Sequence, residues 1–333
     1  MSTENTDLLV SVVVPTYNAG GDLDKCLGAV AKSDWPNVEI LVADDASTDE
    51  TAREIAERHG ATYIRLEQNS GPAIARNIGA REARGDIIML MDADVMFHPD
   101  AISRAVDVLS REPEVGAIFG SYDDSPTHPA FLSQYRNLYH HWNHQMGNTE
   151  ASTFWTGCGA VKREAFEAVS GFSLDFPKPG MEDIEFGYRL KESGYRILLV
   201  KDMQCTHLKD WPLTRMIYTD IFQRGVPWMS LMLQYRDRSH NLNTDYPARI
   251  ATLAAGILGL SLVIAPFYPL ALWVVLLMTL VIVLSQWGFY KLTARIRGWG
   301  FTLGVVPAQV IFFFCCAVSI PLGIFHYLKH LHD

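Results

Sequence analysis

The sequence predicts an α/β domain on a Rossmann-like, mostly parallel sheet, followed by C-terminal transmembrane helices. Three observations carry this. Short β-rich runs alternate with helical patterns through Met91. Residues 87–91 form a wholly apolar run, as in a strand buried on both faces. Residues 250–290 hold no charge, and at about 20 residues per crossing they are long enough to span a bilayer twice.

Taken in order, residues 10–14 read as the first strand, ended by Pro15, and residues 23–31 carry apolar positions at helical spacing. Residues 39–43 give a second strand and residues 48–59 a helix with Ser47 as N-cap. Residues 63–66 form a third strand, Pro72 opens a helix running to Arg84, and residues 87–91 are the fourth strand. Beyond Asp100 the alternation loosens into a helix at 101–110, strands at 116–119 and 197–200, and an aromatic, His-bearing stretch at 131–146. This half is expected to complete a substrate cleft. Residues 211–235 mix Trp and Met with Arg215 and Arg224, which fits a helix at a membrane surface or one packed on the domain.

The net charge of −9 is divided unevenly. From Arg249 onward five basic residues stand against one acidic, giving +4, while the preceding part holds 23 basic and 36 acidic residues, giving −13. Apolar stretches at 250–265, 270–290 and 299–328 predict three spans, with Pro266 and Pro269 in a turn at the far interface. Lys291, Arg295 and Arg297 then belong on the cytosolic side by the positive-inside rule. Pro307 and Pro321 in the third stretch leave a re-entrant hairpin as the alternative. The expected organisation is a cytosolic catalytic domain at 1–210, an amphipathic interface segment at 211–248 and a membrane region at 249–333.

An apolar fraction of 49% excludes disorder, and the acidic excess disfavours nucleic acid as main partner, since phosphate binding needs clustered Lys and Arg. Five scattered cysteines without a C-x-x-C pair argue against a disulfide framework or zinc site and fit a reducing compartment. Met1 to Leu9 is polar and acidic, unlike a signal peptide, so the first domain is expected to stay cytosolic.

The strongest chemical signal is Asp92-Ala93-Asp94 after the fourth strand. Two carboxylates at the C-terminal end of a buried parallel strand project into the crevice where open α/β sheets bind ligands. Together they suit Mg²⁺ or Mn²⁺, which keep waters and substrate phosphates in their shell. Alone the motif is weak, because short acidic turns are common at strand ends. Its context is stronger, since strands one and two end in Pro15-Thr16-Tyr17-Asn18 and Asp44-Asp45-Ala46-Ser47-Thr48-Asp49 on the same edge. Asn69-x-Gly71, Arg76-Asn77-x-Gly79, Arg84-Gly85-Asp86, Gly171-Phe172 and Glu182-Asp183-x-Glu185 with Arg189-Leu190 complete the set. In this order, over roughly residues 10–230, the sequence resembles the family-2 glycosyltransferases of GT-A fold, inverting enzymes that use nucleotide-diphosphate sugars.

The resemblance implies residue roles. Pro15, Tyr17, Asn18 and Asp45 would bind the nucleotide, Tyr17 stacking on the base and Asp45 accepting its ring N–H, which suits uracil. Asp92, Ala93 and Asp94 would hold the ribose and the metal, with His207 as a further metal-proximal group. Arg76 is expected at the phosphates, the alternative being an exposed helix charge. Asp183 would be the general base, supported by Glu182 and Glu185, where the plainer reading of the acidic turn is charge matching to a helix dipole. Trp155, Arg224 and Trp228 are assigned to the acceptor side. His140, His141 and His144 fall on one helix and His140 could share a face with His144, but no third ligand can be placed for that pair, so packing or acceptor contact is the better reading.

Gln223-Arg224-Gly225-Val226-Pro227-Trp228 has the Gln and Trp of the Q-x-x-R-W motif of processive synthases, but Pro227 stands where the Arg belongs. A non-processive, membrane-bound enzyme moving a sugar from a UDP-sugar to a hydroxyl of a lipid or lipid-linked glycan is therefore expected. The alternatives are a polyprenyl-phosphate sugar synthase, which needs no base, a processive synthase and an inactive nucleotide-sugar-binding scaffold.

Overall fold

Residues 8–176, 179–237, 239 and 242–330 are described in the computed structural model. Residues 1–7, Lys178 in the loop before Glu182, and Asp333 lie outside them. The chain divides into two units, one of residues up to 128 with 147–209, the other of 129–146 with 210 onward.

In chain order the elements are β1 (Val10–Thr16), α1 (Gly20–Val30), β2 (Val38–Asp44), α2 (Thr51–Arg58), β3 (Thr62–Arg65), α3 (Pro72–Glu82) and β4 (Ile87–Leu90). There follow β5 (Val95–Phe97), α4 (Ala101–Arg111), β6 (Val115–Tyr122), α5 (Phe131–Met146), β7 (Glu150–Ala151), β8 (Gly159–Lys162), α6 (Arg163–Ala168), α7 (Glu182–Glu192) and β9 (Arg196–His207). All but α5 belong to the first unit.

The sheet runs β3-β2-β1-β4-β8-β6-β9-β5, with β7 also on β9. Its first four strands are parallel, so β1, β2 and β4 end on one edge. The other half is mixed, β8 running antiparallel to both β4 and β6, and β5 and β7 antiparallel to β9. Every residue of β1 is buried, which its run of valines suits. Pro15 lies within β1 and does not end it: pairing with β4 stops at Val13, beyond which only β2 continues alongside. Helix α3 lies close on this half because Gly79 packs against Val13, where a Cβ would fall 2.5 Å from a methyl carbon. The core beneath is formed by Val12, Val14, Leu23, Leu27, Met89, Ile102 and Ile118 among others.

Two boundaries differ from expectation for local reasons. Helix α2 begins at Thr51, because Ser47 does not cap it: the Ser47 amide donates to Asp44 Oδ1 at 2.9 Å and its hydroxyl accepts from the Asn18 amide at 3.0 Å. Strand β9 extends over 12 residues and ends on His207, so His207 terminates the strand instead of following it. It shifts register against β6 between Phe119 and Ser121, where a Cβ on Gly120 would lie 2.0 Å from the Met203 carbonyl oxygen.

The second unit is helical. It takes in α5, expected above on the cleft side, together with α8 (Leu213–Tyr218), a π-helical turn (Thr219–Gly225), α9 (Val226–Gln234), α10 (Tyr246–Ile264), α11 (Ala271–Ser285) and α12 (Trp287–His330). Tyr135, Tyr139, Phe289, Phe312 and Phe313 form its core. Inside it the Arg136 guanidinium pairs with Asp220, each side chain 3% exposed, and Tyr135 donates to Gln309 at 2.8 Å.

The expected three spans change form. At 15 residues α11 is about 22 Å long, less than a hydrocarbon core of about 30 Å. The stretch 270–290 divides at Gln286, and Lys291, Arg295 and Arg297 stand on the first part of α12, not in a loop. Helix α12 kinks at Gly298 (φ 83°) and continues through Pro307 and Pro321. Among the described residues, Tyr246–Ile264 and Trp287–Lys329 are long and apolar enough to cross a membrane.

Two glycine substitutions check this packing. Gly120→Ala should destabilise the first unit by about 1–3 kcal/mol, since the neighbour it meets is backbone. Gly21→Ala in α1, with nothing within 4 Å of the added carbon, should be neutral or stabilising by up to about 1 kcal/mol. Thermal unfolding of both variants reads the contrast.

Candidate active site

The loops after β1 and β2 are tied together before any ligand is considered. Asn18 Oδ1 accepts from the Thr48 amide at 2.9 Å and hydroxyl at 3.1 Å. Asp44 is fully buried and accepts from Tyr63 at 2.5 Å and Arg65 at 3.3 Å, so it braces the loop. Asp45 accepts from the Ser70 and Gly71 amides at 2.7 and 2.8 Å, fixing the loop to the start of α3. Gly71 permits this through a φ of 94°. Each Asp45 oxygen keeps a further lone pair for a ligand. Tyr17 beside it is 49% exposed, while Pro15 is buried in β1.

At the end of β4, Ala93 turns its side chain into the core while Asp92 and Asp94 remain partly exposed. What Ala93 offers a ligand is therefore backbone. Pairing of Val95 with His207 brings β9 to this turn, and Asp94 Oδ2 lies 3.7 Å from His207 Nε2 and 3.5 Å from Lys209 Nζ. Burial acts to raise the Asp94 carboxyl, but His207 and Lys209 outweigh it and hold the group well below the usual range. Tyr122 stacks on His207 with centroids 4.5 Å apart, and Trp155 meets Tyr122 edge-on at 4.7 Å. Gly157 gives the Trp155 indole room, since a Cβ there would lie 2.3 Å from the ring.

Arg76 is not a surface charge. It is 3% exposed, donating from Nη2 to Asp92 Oδ1 at 2.7 Å and from Nη1 to Glu182 Oε1 at 2.8 Å, with its guanidinium 5.6 Å from the centre of the Phe172 ring. The second Glu182 oxygen accepts from the Gly180 amide at 2.7 Å. Glu182 and Asp183 open α7, as the sequence pattern predicts. The Asp183 carboxylate accepts from the Ile184 amide at 2.8 Å and, at 3.4 Å, from the Thr156 amide. Burial first, then the negative Glu182, push its carboxyl up to about 7 against the pull of Arg76. Glu185 instead makes a two-pronged pair with Arg189 at 2.6 and 2.8 Å, and Arg189 also donates to the Val169 carbonyl, which fastens α7.

Within the first unit, the expected residues other than Glu185 thus gather at the edge where β1, β2 and β4 end, while Arg224 and Trp228 belong to the second unit. There Arg224 stands 3.2 Å from His140 Nε2, and Trp228 Nε1 is buried with no acceptor among the described residues. Among the described residues, no group of three or more His, Cys, Asp or Glu is drawn together as a metal cage, His140, His141 and His144 included. Lys209 escapes sequence reading because it lies two residues beyond the end of β9, where no strand period places it. Asn77 was noted only as part of a motif. Its side chain exchanges two hydrogen bonds of 2.8 Å with the Phe172 backbone, locking α3 to the loop before α7.

Residues 11–170 match the family described as glycosyl transferase family 2, and residues 136–210 match the N-terminal domain of galactosyltransferase. An uncharacterized glycosyltransferase of Haemophilus influenzae is 26% identical over 193 residues, 55% of this chain and 62% of that protein. Validoxylamine A glucosyltransferase of Streptomyces hygroscopicus is 29% identical over 220 residues, 56% of this chain and 52% of that one. The chain thus spans a little over half the length of these relatives. A mannosyltransferase from Pyrobaculum calidifontis, solved in complex with GDP-Man and Mn²⁺, superposes with a TM-score of 0.58 at 21% identity, over 97% of this chain and 88% of that one. Residues 11–170 are thus similar to glycosyl transferase family 2 domains, and the fold is a mixed α/β, GT-A-like one.

Proposed function

We propose that the protein is a membrane-bound, inverting, non-processive glycosyltransferase that moves a sugar from a nucleotide-diphosphate sugar, a UDP-sugar by the Tyr17–Asp45 pattern, to a hydroxyl of a lipid or lipid-linked glycan. The observation that carries this reading is the joining of Asp92 and Glu182 by one buried guanidinium, with Asp183 as the next residue. In this reading a donor-side carboxylate and the candidate base are held on neighbouring ends of one bridge.

In this reading the acceptor oxygen attacks the anomeric carbon as the bond from that carbon to the diphosphate oxygen breaks. The leaving electron pair goes to the nucleoside diphosphate, and the acceptor hydroxyl proton goes to the Asp183 carboxylate. One base and no covalent sugar intermediate suffice for inversion. Tyr17 and Asp45 would hold the base, and Lys209 lies where a cationic side chain can reach the leaving phosphates.

The carboxylates of Asp92 and Asp94, both partly exposed, with His207 beside Asp94, suit a hard cation that takes its remaining ligands from water and phosphate. When bound, Mn²⁺ or Mg²⁺ would neutralise charge developing on the diphosphate. The two long apolar helices and the cationic start of α12 support membrane attachment with the catalytic unit on the cytosolic side.

Asp183→Asn should lower transfer to a hydroxyl acceptor by at least about 100-fold with donor binding retained. A fully active variant would favour the phosphate-acceptor reading instead. Because a carboxyl raised to about 7 must lose its proton to act, kcat should climb as pH rises through about 7 and level off above it. Chelation with EDTA should abolish transfer and added Mn²⁺ or Mg²⁺ restore it, and full activity in EDTA would rule out the metal role.

A further inference from the structure

We propose that Arg76 is a positioning residue that couples the two sides of the site, holding the donor-side carboxylate of Asp92 and the head of α7 at a fixed separation. This rests on the glycosyl-transfer reading above and gives Arg76 a task other than gripping phosphate. Each of its terminal nitrogens already donates to a carboxylate, at 2.7 and 2.8 Å. The side chain is 3% exposed, so the N–H groups left over have little access to a phosphate. Among the described residues Nε has no acceptor.

The bridge is held at its Glu182 end and at the helix that carries Arg76. Glu182 is held on both oxygens, by Arg76 and by the Gly180 amide, so it cannot swing away without giving up one of the two. Helix α3, which carries Arg76, is keyed through Asn77 to the backbone of Phe172, over whose ring the guanidinium lies. Two carboxylates, one buried and one partly exposed, share a buried guanidinium and leave a net negative charge, so a change at one end is felt at the other. The charges facing Asp183 are Glu182 on its own helix, Arg76 from α3 and Asp92 from the end of β4, with the Ile184 and Thr156 amides as neutral donors. A ligand that draws on Asp92 therefore draws on the cation that offsets Glu182.

The test uses full-length protein in detergent and three variants, Arg76→Gln, Arg76→Lys and Glu182→Gln, with folding checked by near-ultraviolet circular dichroism. Arg76→Gln should lower kcat by about 100-fold, the order expected for misplacement of reacting groups, and move the acid limb of the pH profile up by about one unit. Arg76→Lys keeps the charge but reaches one carboxylate, so its limb should stay in place while kcat remains low. Glu182→Gln should move the limb down. Calorimetric titration with UDP or GDP and Mn²⁺ gives a readout independent of turnover: Glu182→Gln, on the acceptor side, should change nucleotide affinity by about fivefold. Unmoved limbs with unchanged nucleotide affinity in Glu182→Gln would overturn the coupling, as would an Arg76→Gln that raises only the donor KM. A wild type with no acid limb near pH 7 would instead sink Asp183 as base, and the nucleotide titration would then decide the coupling by itself. Should Arg76→Gln fail to fold, the other two variants carry the same decision.

Discussion

One buried guanidinium sets the terms for the catalytic unit. Taking a carboxylate such as Glu182 out of water costs several kcal/mol unless it is paired and hydrogen-bonded, and Arg76 serves both it and the partly exposed Asp92. The arrangement dictates other choices in the sequence. Phe172 supplies a flat apolar face for the guanidinium, Asn77 fixes that phenylalanine's backbone, and Gly171 must be glycine-like at φ 71°, where a Cβ would lie 2.5 Å from Asn77 Oδ1. Asp183 stands next to two carboxylates that share one cation, and its raised affinity for a proton follows from burial and from the charge of Glu182.

The parallel half of the sheet brings the remaining groups together. Strands β1, β2 and β4 terminate together, and the loops leaving them are held by Asn18, Asp44 and Asp45 to backbone amides and hydroxyls. A loop secured in this way does not need to be ordered by its ligand, which reduces the entropy lost on binding. The antiparallel strand β5 then brings the end of β9 beside Asp94, adding His207 and Lys209 to a turn that the first half of the sequence leaves purely acidic.

Much of this was legible in the sequence, because alternation of strand and helix and the glycine and aspartate positions are local signals. Residues 87–91 read correctly as a buried strand, and Pro72 as a helix start, since both depend on neighbours in the chain. What escaped depends on distant partners. Ser47 looks like an N-cap until Asp44 and Asn18 claim it, and Arg76 looks like an exposed helix charge until residue 182, 106 positions away, folds onto it. The reach of β9 was hidden because its irregular pairing with β6 follows from Gly120 and Met203, not from periodicity. In the helical unit, composition marked apolar stretches but not where they break, and Gln286 and Gly298 divide them differently from the prolines.

The proposed chemistry turns on whether a single carboxylate acts by displacement at the anomeric carbon. The most direct test is the configuration of the first-formed product, followed by proton NMR as the purified protein transfers the sugar of its nucleotide donor to an acceptor or to water, before the free sugar mutarotates. Displacement with Asp183 as base predicts an anomeric configuration opposite to that of the donor. A product that retains the donor's configuration would contradict the account.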